Sequence, residues 1–72
     1  MTTPTMEAVK SGNIEAVGYD PAKSELHVQF KGGGHYVYDG VTAASHRSML
    51  AADSIGGFLS SKIKGQHKFR KL

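Results

Sequence analysis

The sequence predicts an α+β domain: a three-stranded antiparallel β-meander followed by two short α-helices. Three observations carry that prediction. Glu25-Leu26-His27-Val28-Gln29-Phe30 alternates polar and apolar residues, the period of a strand buried on one side. Proline- and glycine-marked turns cut the first half into strand-length pieces. Beyond Thr42 the apolar residues shift to helical spacing.

Residues 1–12 read as a flexible N-terminal lead-in, closed by Ser11-Gly12-Asn13, and 13–72 as a single domain. Ile14 to Tyr19 is the first strand, with Val17 and Tyr19 on one face and Ile14 and Ala16 on the other. Pro21 sets φ for the following turn, and Asp20 can accept from the backbone ahead of it. The second strand points Leu26, Val28 and Phe30 inward and Glu25, His27 and Gln29 outward. Lys31-Gly32-Gly33-Gly34 supplies the hairpin loop, because glycine adopts the positive φ that tight turns demand. His35 to Tyr38 is the third strand, stopped by Asp39-Gly40.

Thr42 can cap a helix through Ala43, Ala44, His46, Met49, Leu50 and Ala51, with Ser45, Arg47 and Ser48 facing out. Asp53 or Ser54 caps a second helix with Ile55, Phe58, Leu59 and Ile63 on one stripe. Gly56 and Gly57 in its first turn cost up to ~1 kcal/mol each relative to alanine, which points to crowding against another element or a ligand. Gly65 ends this helix. Gln66 to Leu72 runs extended, and its alternation about Phe69 suits a short C-terminal edge strand.

Charge is unevenly placed. Residues 60–72 carry five Lys/Arg and no acid, whereas residues 1–59 hold four basic residues against six acids. The net +3 therefore sits at one end, where it attracts phosphate in a way that a mixed surface does not. Without cysteine there are no disulfides or thiolate metal sites. The scattered histidines His27, His35, His46 and His67 lack zinc-site spacing, so no metal or cofactor is expected. The N-terminus lacks the pattern of a secretory signal, and no run approaches the ~20 apolar residues of a membrane span. The expectation is a cytoplasmic protein that self-associates to enlarge a thin core.

Read in order, the pieces resemble the KTSC domain, named for its place at the C-terminus of some lysyl-tRNA synthetases and found also as a free-standing protein. They are Ser11 with Ile14, Val17-Gly18-Tyr19-Asp20, Leu26-x-Val28-x-Phe30 and Tyr36-Val37-Tyr38. Gly40-Val41, Leu50, Ala52-x-Ser54-x-Gly56-x-Phe58, Lys62-Ile63-Lys64 and the basic end around Phe69 follow. Thr42 replaces the family's usual proline, and His46 an aromatic residue of the first helix. The resemblance implies a small α+β unit with an RNA-binding role, and assigns no catalytic residues.

Three constellations bear on function. Tyr36 and Tyr38 share one side of their strand, and a one-residue slip of the hairpin decides whether they stack bases on an open face or enter the core. Ser54-Ile55-Gly56-Gly57 could cradle phosphate at a helix start, or serve as a plain cap. Ser45, His46 and Asp53 cannot form a nucleophilic triad, because helix neighbours point about 100° apart. His27, His35 and a tail lysine could meet across the hairpin for RNA cleavage, but no group has an evident reason for a perturbed pKa.

The reading is a non-catalytic binding module for a phosphate-bearing ligand, through a basic C-terminal face: RNA, the candidate that the resemblance implies, or a small nucleotide. Its candidate ligand residues are Tyr36, Tyr38, Arg47, Ser54, Gly56, Lys62, Lys64, His67, Lys68, Arg70 and Lys71. The alternative, which the resemblance of stand-alone copies to proteins of bacteria and their phages implies, is a phage counter-defence protein that sequesters a cyclic nucleotide signal or blocks a host complex by protein–protein binding.

Overall fold

A computed structural model describes residues 5–72. The first four residues of the expected lead-in lie outside them. Five antiparallel strands form one sheet in sequence order: β1 (Glu7–Ala8), β2 (Ile14–Asp20), β3 (Glu25–Phe30), β4 (His35–Asp39) and β5 (Phe69–Lys71). Helices α1 (Ala43–Ala51) and α2 (Ile55–Phe58) come between β4 and β5, and α2 runs on into a π-helical turn over Leu59–Ile63.

The expected α+β class and two helices are present, with five strands where the sequence indicated three and a short edge strand. The extra strand, β1, lies inside the presumed lead-in and pairs Glu7 with Val17 and Ala8 with Ala16. Two residues carry no visible period, so β1 exists only through its pairing with β2.

The two predicted hairpin turns form with contacts that their residues suggest. The Ala22 amide donates to Asp20 Oδ1 at 3.0 Å. The β3–β4 loop closes with Phe30 N–H donating to the Gly34 carbonyl at 2.8 Å. Gly33 lies at φ +102° within that loop, which only glycine adopts without strain. Thr42 Oγ1 accepts from the Ser45 amide and Ser54 Oγ from the Gly57 amide, at 3.1 and 3.0 Å. Ser54, rather than Asp53, is therefore the second cap.

The two sheet faces differ from expectation in two places. An irregularity between Ile14 and Ala16 sets Ile14 opposite Phe30 and Ala16 opposite Gln29. This bulge turns Ile14 to the helix side with Val17 and Tyr19, and Ile14 is fully buried. On the other side His27 is also buried, although alternation placed it outward.

The core lies between the sheet and the helical segment. Ile14, Val17, Leu26, Val28 and Tyr38 meet Val41, Met49, Leu59 and Ile63. α1 buries only Met49, and Leu50, expected inward, is 37% exposed. The Lys64 amide donates to the Leu59 carbonyl, five residues back, at 2.7 Å. That wide turn spans Leu59 to Ile63, both of which are buried.

Candidate functional site

The β3–β4 register answers the tyrosine question. Leu26 pairs with Tyr38, Val28 with Tyr36 and Gln29 with His35, so both tyrosines share the helix-side face with Leu26 and Val28. They differ in depth. Tyr38 is 1% exposed within the core, while Tyr36 is half-buried at its rim.

Strand β5 extends that face by pairing Phe69 with Tyr38 and Lys71 with Tyr36. The result is an open cleft of about 520 Å³ lined by Phe30, Gly32, Gly34, Tyr36, Tyr38, Lys64, Phe69 and Lys71. Its aromatic wall is continuous. Phe30 meets Tyr36 edge to face at 5.4 Å between centroids, and Phe69 lies 5.9 Å from Tyr36 and 5.7 Å from Tyr38. Phe69 is 52% exposed, so part of its ring is open to solvent. No acid lines the cleft, and Lys64 and Lys71 provide its charge.

Glycine shapes the cleft at one point. A Cβ on Gly34 would come within 2.8 Å of Tyr36 Cε1, so the bare backbone gives the ring its place at the rim. Burial, then the neighbouring Tyr36, raises the Tyr38 phenol pKa. A tyrosine holds its proton at neutral pH in any case, so the shift leaves the hydroxyl a hydrogen-bond donor.

The structure brings together four of the candidate ligand residues: Tyr36, Tyr38, Lys64 and Lys71. The others are dispersed. Gly56 faces the β1–β2 loop, where an added Cβ would meet Asn13 Oδ1 at 2.9 Å. Its crowding comes from another element, and Ser54 is occupied as a cap. Arg47, Lys62 and Lys68 are exposed on α1, the π turn and the approach to β5. His67 Nδ1 is 2.9 Å from the Asp39 carbonyl oxygen.

Arg70 pairs with Val37 and thus leaves by the face opposite Phe69 and Lys71. There it donates to Glu25 Oε2 and Asp39 Oδ1, each at 3.0 Å. The basic end consequently divides between the two faces, because strand alternation sends neighbouring residues in opposite directions. Phe30, Gly32, Gly34 and Phe69 are lining residues that the sequence reading left out. The period-two inward face of β3 pointed to Phe30, and Phe69 stood out as an apolar residue among cations.

His27 Nδ1 lies 3.0 Å from His35 Nε2 on the Arg70 face, with Glu25 Oε1 3.7 Å from His27 Nε2. Burial foremost, then His35, lowers the His27 pKa below its ordinary value. The two histidines thus meet across the hairpin, as their strand positions allow, and the tail residue beside them is Arg70 rather than a lysine. Among the described residues no group of three or more metal-ligating side chains gathers. Nor is any helix long and apolar enough to cross a membrane.

These features define a class: a small α+β domain whose antiparallel meander carries helices on one face and an aromatic cleft at the β5 edge of that face. The chain belongs to the KTSC domain family, whose profile matches residues 10–69. It is 42% identical over 59 residues to a protein of Tsukamurella paurometabola, covering 82% of this chain and 88% of that one. A protein of Stutzerimonas stutzeri is 35% identical over 60 residues, covering 83% and 84%. The crystal structure of a KTSC domain protein from Yersinia pestis superposes with a TM-score of 0.92 at 36% identity, covering 97% of this chain and 99% of that one.

Proposed function

We propose that this chain is a non-catalytic binding module for a nucleotide unit, either free or within single-stranded RNA. The observation that carries the reading is the meeting of a continuous aromatic wall with Lys64 and Lys71 in one acid-free cleft. A base stacked on Phe69 or Tyr36 gains ~1–3 kcal/mol, and the two ammonium groups attract its phosphate. The reading moves the ligand from a broad basic face to this cleft, since Arg70 is engaged elsewhere.

Calorimetric titration with AMP and with a short single-stranded RNA tests the proposal. Binding of either, weakened at least tenfold in Phe69→Ala and in Lys64→Gln/Lys71→Gln, is the expected result. If RNA is the ligand, removing both lysines flattens the salt dependence by about 1.4 in the slope of log K against log salt. A free nucleotide gives tight binding of AMP that RNA does not improve. No binding of either, or equal binding by the variants, rejects the cleft. Native mass spectrometry of the same samples reads the stoichiometry and hence the expected self-association.

A further inference from the structure

β5 forms a short, exposed wall of the cleft. It is three residues long, each exposed, and among the described residues its only neighbour in the sheet is β4. A short two-stranded contact is marginal without side-chain support. Phe69 supplies some of that support by packing on Tyr36 and Tyr38 at the front.

The rest comes from behind. Arg70 lies between Phe69 and Lys71 in sequence, yet its guanidinium spans Glu25 and Asp39, which stand directly opposite each other on β3 and β4. Like charges opposed across strands repel, and the fork of one guanidinium offers both carboxylates a donor. One side chain thereby ties β5 to two strands, including one that β5 does not pair with.

We infer that Arg70 is a positioning residue, which holds β5 from the back so that Phe69 and Lys71 form the cleft at the front. Its consequence for affinity rests on the ligand reading above, whereas its consequence for the strand does not. Two opposing accounts are specific: Arg70 as a direct phosphate contact, and Arg70 as an idle solvated charge.

Hydrogen exchange separates them, together with AMP and RNA titrations. The Asp39 amide donates to the Lys68 carbonyl and the Leu72 amide to the His35 carbonyl, so both amides report on β4–β5 pairing. In Arg70→Gln, and in the Glu25→Gln/Asp39→Asn double variant, both should exchange about fivefold faster or more. Exchange of the β2–β3 amides should remain unchanged, and ligand affinity should fall in both variants. A direct phosphate contact predicts instead that the double variant, which frees the guanidinium, binds more tightly. Unchanged exchange at Asp39 and Leu72 in both variants overturns the inference, even where affinity falls. Failure of the unaltered protein to bind AMP or RNA defeats the ligand reading, and the exchange data then decide the anchoring role alone.

Discussion

The Nδ1 of His27 faces the Nε2 of His35 at 3.0 Å across β3 and β4, the two rings meeting edge to face. At this distance the pair is a hydrogen bond in which one ring nitrogen donates and the other accepts. Around the pair stand Glu25 on the same strand as His27 and Arg70 on β5. The back of the sheet is thus a linked polar network, from His35 through His27 and Glu25 to Arg70 and Asp39.

Acid should weaken the fold through His27. Its basicity is lowered by burial and then by His35, so near its ordinary value of 6.5 the folded chain binds fewer protons than the unfolded one. The stabilisation is complete above that value and is lost as pH falls toward the folded-state value. Melting temperatures measured from about pH 7.5 down to about pH 5 should decline, and His27→Gln should flatten the decline. His46, shifted the same way chiefly by burial, leaves a residual slope. An identical profile in His27→Gln removes the pair from the pH response.

Tyr19→Phe tests the joint between the sheet and α1. The Tyr19 hydroxyl donates to the Val41 carbonyl at 2.6 Å, and the ring stacks on His46 with centroids 5.0 Å apart. Losing the hydroxyl while keeping the ring should lower the unfolding free energy by about 1 kcal/mol. Urea denaturation reads it, and a change below ~0.3 kcal/mol would mean that water replaces the bond without cost.

Gly34→Ala should spoil the cleft while sparing the fold. The new methyl would press on Tyr36 Cε1, and the half-buried ring has open space to move into. A shift of the Tyr36 ring resonances with at least tenfold weaker AMP or RNA binding is expected, and a melting temperature within about 4 °C of the parent. Retained Tyr36 shifts and affinity would show that the loop yields instead.

Gly18→Ala acts on β1. There an added Cβ would meet Met6 Sδ at 2.7 Å and the Thr5 carbonyl oxygen at 2.9 Å. A backbone atom cannot step aside as a side chain can, so residues 5–8 should be displaced at a cost of about 1–3 kcal/mol. Faster exchange of the Val9 amide, which donates to Glu15, checks the location. Unaltered exchange there contradicts it.

Much of this architecture is legible in the residues. Clean alternation announces β3, the Asp20-Pro21 and glycine-rich turns announce the hairpins, and the Thr42 and Ser54 hydroxyls announce both helix starts. These signals act over a few residues, where spacing and local hydrogen bonding decide conformation. Half of the cleft was visible in the same way, as Tyr36, Tyr38, Lys64 and Lys71. Phe69 and Arg70 were visible as residues but not in their roles, since only pairing with β4 sends one to the front and the other to the back.

The chain by itself determined its class, its turns and its family, because period, cap and turn chemistry are local. Tertiary structure decided which side each residue serves. A bulge turned Ile14 inward, the hairpin register put Tyr38 into the core, and β1 formed only where β2 offered a partner. Such choices depend on energies shared between segments far apart in sequence, where one residue of slip exchanges the two faces.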